Sequence, residues 1–431
     1  MILNFRAKNI FSIKEEVELS FEASSIRGLM DNVIAYETVN KSKKKILKSV
    51  GIFGHNASGK SNLIKSVGIM KDLVVNSNSR NKNEKLPHFP FKLDENNLYK
   101  DTSFYIELIL NGILYEYGFS YNAQKITKEY LYYYPNGRIA TIFERKLVNE
   151  KTEYKFTIDK VKQEFLSNVT SDNKLYLAVA TNLEYKKTEI VFKWISEKLI
   201  INNSDRALAN WRNYTAHLIS DDKEKEKILK FLKGADFNII DLDLKKKKPN
   251  KINFPDELEI PKSIMEEFEN SEILEIGTIK KGISLKGKEI SIPFKMFEES
   301  DGTKKFFELA GPFLDILSKG YCLIFDEIDN SLHPKLLSFL IDLFNKNMTN
   351  AQLAFTAHNT IVFNQDYLRR DQIYLMNLDN TGASELYSIY DFKTEKNTSN
   401  ILKRYLTGRY DGIPFIDSDL VSFILRGNSN E

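Results

Sequence analysis

Along the first 22 residues apolar side chains fall on every second position. Leu3, Phe5 and Ala7 lead into Asn9-Ile10-Phe11-Ser12-Ile13, and Val17, Leu19 and Phe21 follow. A period of two with one polar interruption predicts an opening β-hairpin. Ile46 to Phe53 reads as a strand, and its Ser49-Val50-Gly51-Ile52-Phe53 part has the composition of a buried one. Beyond a glycine-rich gap, Leu63, Ile64, Val67, Met70 and Val74 repeat at helical spacing. That helix runs out in the polar stretch Asn76 to Asn83, which predicts an exposed and mobile loop.

Strands return at residue 103. Phe104 to Leu110 and Ile113 to Tyr121 flank Asn111-Gly112, two residues that tolerate positive φ, and Lys128 to Tyr134 and Ile139 to Arg145 flank Pro135-Asn136-Gly137. An antiparallel β subdomain is expected. From about 159 to 235 the spacing turns helical, with Val191, Trp194, Ile195, Leu199 and Ile200 on one face and Ile228, Phe231 and Leu232 on another. Lys245 to Pro261 reads as a loop or boundary. Tyr321 to Phe325 is then a continuous apolar run, the form of a buried parallel strand. Pro334 opens a helix over Lys335 to Phe344, and Gln352 to Ala357 makes one more strand just before His358.

The gap after Phe53 is where the chemistry concentrates. Gly54-His55-Asn56-Ala57-Ser58-Gly59-Lys60-Ser61 fits G-x-x-x-x-G-K-[ST] at every fixed position, between a predicted strand and a predicted helix. Gly54 and Gly59 permit a tight turn whose N–H groups face inward, and the following helix adds its positive end, so polyphosphate oxygens meet fixed donors. Lys60 would reach the β- and γ-phosphates, and the Ser61 hydroxyl would bind Mg²⁺. Asp326-Glu327 end the apolar strand at the sheet edge where ligands of open α/β sheets bind. Asp326 would hold the Mg²⁺, and Glu327 would orient and activate the attacking water. His358, at the end of the next strand, would reach the γ-phosphate or that water.

Composition narrows the class. Charged residues make up 28% of the chain and no apolar run approaches a membrane span, so a soluble cytoplasmic protein without a membrane role is expected. One cysteine, Cys322, excludes an internal disulfide and a cysteine-rich metal site. A net charge of +3 does not announce nucleic-acid binding, and the runs Lys43 to Lys45 and Lys245 to Lys248 read as solvated loops.

With these pieces in order, the chain resembles the ABC-type ATPase heads of the RecF, SMC and OLD group. The phosphate loop, Asp326-Glu327 and His358 look like that group's Walker A, Walker B and switch histidine, and Glu298 to Lys305 looks like its signature motif. The resemblance implies an α/β fold: an ABC-type P-loop ATPase head, with a mixed sheet plus an antiparallel β subdomain and a mainly helical insertion. It places the first half of the head in residues 1–158, the insertion in 159–270 and the second half in 271–431. It implies ATP contacts from Gly54, Asn56, Gly59, Lys60, Ser61 and Asn62, with Ser300 and Gly302 acting in trans across an ATP-closed homodimer or larger homo-oligomer.

Asn9-Ile10-Phe11-Ser12-Ile13, Gly54 to Asn62, Asp326 to Pro334, Phe355 to Asn359 and Tyr405 to Tyr410 are similar to stand-alone RloA/AbiL-type ATPases, with the AriA subunit of the PARIS system among their relatives. Such proteins imply a slow ATPase in bacterial anti-phage defence (abortive infection) that answers a phage-protein trigger and controls a separate TOPRIM-type nuclease or toxin. The alternative is a RecF- or SMC-like repair clamp with DNA or RNA as partner. A GTPase is disfavoured because Asn81-Lys82-Asn83-Glu84 does not complete N-K-x-D. Two departures stand out: no glutamine occupies the Q-loop position, where Leu86 to Asp94 is the nearest candidate, and the signature reads Ser-Asp-Gly-Thr, where Asp301 would weaken anion binding unless it points away. With 73 residues after His358, no OLD-type nuclease domain is expected there, and cutting is expected to come from a partner.

Overall fold

The computed structural model describes residues 1–39, 41, 43–247, 273–363, 367–392 and 401–410. They form two compact units. The first comprises Met1–Ile201, Tyr321–Ile328 and Ile341–Glu431, and the second Asn202–Gly320 and Asp329–Leu340. The first unit runs past the expected boundary at 158/159 to Ile201, because the helices that follow residue 159 build onto it, and the expected boundary at 270/271 lies outside the described residues. Lys248 to Pro261 lie outside the described residues.

The first unit opens with β1 (Ile2–Lys8) and β2 (Val17–Ser20), the expected antiparallel hairpin. β3 (Val33–Glu37) and β4 (Lys43–Leu47) make a separate two-stranded ribbon, and β5 (Ser49–Phe53) leads into α1 (Lys60–Val75). Ile46 to Phe53 is thus two strands, broken at Lys48. That side chain turns inward and donates to the carbonyls of Asn345 and Asn347 at 2.9 and 2.8 Å. Lys43 to Lys45 lie on β4, so the basic run is a strand and not a loop.

β6 (Thr102–Leu110), β7 (Ile113–Tyr121), β8 (Ile126–Tyr133), β9 (Ala140–Val148) and β10 (Lys151–Phe156) extend the opening hairpin into one seven-stranded antiparallel sheet. Asn111 and Gly112 take φ of 51° and 82°, as a two-residue hairpin turn demands. Glu129, on β8, is fully buried. Its carboxylate accepts from the N–H groups of Tyr176 and Leu177 at 2.7 and 2.9 Å and from Tyr117 Oη at 3.1 Å, with Arg145 3.5 Å away. Burial raises its pKa and the Arg145 guanidinium opposes that rise.

The polar stretch 76–83 is tied down rather than loose. Ser77 Oγ accepts from Leu175 N, Asn78 Nδ2 donates to Ala178 O, and Arg80 pairs with Asp72 at 2.8 Å.

A second sheet carries the parallel strands. β11 (Leu199–Asn202), β12 (Cys322–Phe325), β13 (Gln352–Thr356), β14 (Ile373–Leu378) and β15 (Ser384–Ser388) join β5 in the order β11-β12-β13-β5-β14-β15. Pairing is parallel from β12 through β14, and β15 runs antiparallel on the edge. Leu199 and Ile200 therefore belong to an edge strand. Val191, Trp194 and Ile195 are buried as expected, but the helix loosens to a wide turn at Trp194–Lys198 and then extends. Gln352 ties the sheets together: its amide accepts from Ile2 N at 2.8 Å and donates to Ile2 O and Leu47 O. The α1 stripe Leu63, Ile64, Val67, Met70 and Val74 is wholly buried in the same core.

In the second unit, helices Asp205–Leu218 and Asp222–Gly234 pack on the long helix Asp301–Lys319, with Phe231 stacked on Phe306 at 4.9 Å. A three-stranded antiparallel sheet, Asp241–Lys247, Ile273–Ile283 and Glu289–Lys295, completes it. Lys245 to Lys247 are part of that sheet rather than of a loop. No helix among the described residues is long and apolar enough to cross a membrane.

Candidate functional site

Strand order fixes the site. β13 lies between β5 and β12, so the segments leaving the carboxyl ends of three neighbouring parallel strands converge on one edge. Gly54–Ser61 leaves β5, Asp326-Glu327 leave β12 and His358 follows β13. Asn56 to Asn62, Glu327 and His358 line one cleft of about 490 Å³, within the roughly 300–1,000 Å³ typical of small-molecule sites.

The loop is held by conformation and by its neighbours. Gly54, Ala57 and Gly59 take φ of 147°, 64° and 104°. A Cβ on Gly54 would stand 2.2 Å from Met376 O, and one on Gly59 would stand 2.0 Å from Ser384 Oγ and 2.7 Å from Ser12 Oγ. Both glycines are required by sterics as well as by φ. Ser384 Oγ, on β15, donates to Ser58 O at 2.8 Å and is hydrogen-bonded to Ser12 Oγ at 2.7 Å, and Asn62 Nδ2 donates to Ser12 Oγ at 2.8 Å. Asn62 thus spends its amide on bracing the loop, while still lining the cleft.

Ser12 belongs to the Asn9–Ile13 turn, where Asn9 and Phe11 adopt φ near 50°. Asn9 secures that turn by donating to the carbonyls of Asn97 and Lys100 and accepting from Phe91 N. Phe11 stacks on Phe89 at 5.2 Å, which seats the Leu86 to Asp94 segment one residue from the brace.

Lys60 is buried and arches back over the loop. Its ammonium donates to the carbonyls of Gly54 and His55, both at 2.9 Å. That places a fixed cation beside inward-facing backbone at the amino end of the sixteen-residue α1, an arrangement suited to an anion.

The acidic side is anchored differently. Thr356 Oγ1 donates to Asp326 Oδ1 at 2.6 Å and accepts from Glu327 N at 2.7 Å. Glu327 has φ of 51°, a conformation costly for an L residue, and its carboxylate is half exposed, 4.0 Å from His358 Nε2. The Ser61 hydroxyl and the Asp326 carboxylate are hard oxygen donors, the kind Mg²⁺ takes.

The signature stretch lies in the second unit. Ser300 caps helix Asp301–Lys319, accepting from Thr303 N at 3.2 Å. Asp301 is exposed and paired with Lys304 at 3.2 Å. Gly302 approaches the backbone closely, since a Cβ there would lie 3.2 Å from Ser331 O. Glu299 is buried and bonded to Thr278 Oγ1 and, at 2.7 Å, to Lys280. Sequence reasoning missed Ser12, Thr356 and Ser384 as parts of the site. Ser12 and Thr356 fall within the quoted motifs Asn9–Ile13 and Phe355–Asn359, but nothing local marks Ser384.

No curated protein matches the chain. Among solved structures it is similar to an SMC head bound to the C-terminal winged-helix domain of ScpA (16% identity, 90% of this chain and 97% of that one, TM-score 0.40). It is also similar to the SMC head domain from Thermotoga maritima (13%, 90% and 98%, 0.39) and to an Smc head with an extended coiled coil bound to the C-terminal domain of ScpA from Pyrococcus furiosus (14%, 95% and 98%, 0.41). A family model described as "AAA domain, putative AbiEii toxin, Type IV TA system" matches residues 49–364, from the first residue of β5 past His358. The chain belongs to that AAA-domain family.

Proposed function

We propose that this protein binds and slowly hydrolyses ATP at the Gly54–Ser61 cleft, and that the ATP-bound form closes into a homodimer that governs a separate effector. The observation that carries the reading is the convergence of the phosphate loop, Glu327 and His358 on one cleft, from three adjacent parallel strands. Gly54, Asn56, Gly59, Lys60 and Ser61 bind the phosphates, with Asn62 fixing the loop. Glu327 takes a proton from the attacking water. His358 donates toward the γ-phosphate, and its place 4.0 Å from Glu327 lets both address the same atoms. Ser61 and Asp326 would hold Mg²⁺, which neutralises phosphate charge when bound.

Ser300 and Gly302 complete the partner's site in trans. Ser300 caps a nineteen-residue helix and Asp301 faces solvent, so that helix end offers N–H donors to a phosphate without an opposing carboxylate. A defence role with a phage-protein trigger and a TOPRIM-type nuclease or toxin as effector rests on the motif resemblance, and the family's toxin–antitoxin description is in keeping with it. The DNA-clamp alternative is less supported: Lys245 and Lys247 are taken up in ion pairs with Asp243 and Glu275 at 3.1 and 2.6 Å.

The test is Glu327→Gln. Phosphate release should fall by about 10²–10⁴, while ATP binding persists and light scattering shows a stable dimer with ATP. Wild-type turnover in this variant would remove Glu327 from the mechanism, and a monomer under saturating ATP would remove the dimer.

A further inference from the structure

We infer that Thr356 is the positioning residue of this site, the side chain that sets both carboxylate-bearing residues against the histidine strand. The inference rests on the ATPase reading above. Thr356 ends β13 and is completely buried. Three bonds leave it for three consecutive residues of the neighbouring segment. Its Oγ1 donates to Asp326 Oδ1 at 2.6 Å and accepts from Glu327 N at 2.7 Å, and its carbonyl accepts from Ile328 N at 3.1 Å. The hydroxyl is used in both senses, so each bond orients the other.

The consequences differ for the two acids. Asp326 is held by a charge-assisted bond that fixes one of its carboxylate oxygens. Glu327 is held through its backbone, which stays at φ 51° while the side chain remains half exposed. That backbone strain persists because a neighbour over-determines it, and the Thr356 hydroxyl is such a neighbour. His358 stands two residues further along the same chain segment. A shift of β13 relative to β12 would therefore move all three groups at once. Serine supplies the same donor and acceptor. Valine supplies the same shape and neither.

The experiment compares Thr356→Val and Thr356→Ser with wild type, using Mg·ATP for turnover and ADP without metal for binding. Thr356→Val should lower kcat at least tenfold and raise the Mg²⁺ concentration needed for half-maximal rate, with ADP affinity within about threefold of wild type. Thr356→Ser should restore kcat to within about threefold. If Thr356→Val turns over like wild type, or if serine fails to rescue while both variants melt like wild type, Thr356 does not position the acids. If wild type itself neither binds nor hydrolyses ATP, the ATPase reading fails instead. Should valine unfold the protein, Thr356→Ala, which removes the same hydroxyl, replaces it with the same expected loss and the same refuting result.

Discussion

Gly59→Ala puts a number on how tightly the phosphate loop is held. At φ 104° the backbone lies where an L residue pays ~1–3 kcal/mol of strain. The new Cβ would meet Ser384 Oγ at 2.0 Å and Ser12 Oγ at 2.7 Å, so Ser384 must rotate away and give up its bonds to Ser58 O and Ser12. Two such bonds add about 0.5–1.5 kcal/mol each. The sum is about 2–6 kcal/mol, borne as lost stability or as a loop settled away from its phosphate-binding shape. At 1.4 kcal/mol per decade the lower bound is about a 30-fold loss of ATP affinity. Titration calorimetry with Mg·ATP reads the affinity and thermal unfolding reads the stability. In a Gly59→Ala/Ser384→Ala double variant the shortest clash is gone while the φ strain stays, so part of the loss should return. A Gly59→Ala protein that binds ATP within about threefold of wild type, at unchanged stability, would refute the bracing argument.

Three further outcomes follow from the same geometry. Glu129→Ala strips the acceptor from three buried donors and leaves the buried Arg145 with only the exposed Asp172 carboxylate, 3.9 Å away, as a counter-charge, so urea unfolding of the first unit should lose about 3–5 kcal/mol, and a loss below 1 kcal/mol would contradict the network. His88, its ring edge-on to Tyr121 at 5.7 Å, has a pKa held below the usual 6.5 by burial. Its contribution to stability is complete above that pH and fades as pH falls through the folded-state value, so His88→Phe should flatten the loss of urea midpoint between pH 7.5 and 5, whereas equal slopes would exclude the group. Ser12→Ala removes the hydroxyl that Asn62 and Ser384 share and should weaken ATP binding by roughly three- to tenfold, about one hydrogen bond's worth.

How legible was this in the sequence? The phosphate loop, the acidic strand end and the two β-hairpins were written in local pattern: a spaced glycine–lysine motif, an apolar run closed by two carboxylates, an Asn-Gly between alternating strands. Each depends on residues within about twenty positions of one another. What pattern missed depends on distance. Ser384 braces Ser58 from 326 positions away, and no periodicity announces such a pair. The break at Lys48 was hidden because its flanks stay apolar on both sides, and only the inward lysine bonds reveal it. Leu199 and Ile200 continue a helical apolar stripe, yet the edge of the parallel sheet captured them as a strand, a case of tertiary pairing overriding local spacing. The polar stretch 76–83 looked loose because its side chains are hydrophilic, and those same side chains supply the bonds that fasten it.

The most direct test of the account is calorimetric titration of nucleotide-free protein with Mg·ATP, for wild type and for Lys60→Ala. Lys60 stands buried at the centre of the loop with its ammonium on two loop carbonyls. The account predicts saturable, one-per-chain ATP binding by wild type and none that can be measured in Lys60→Ala. Equal affinities in the two proteins would contradict it.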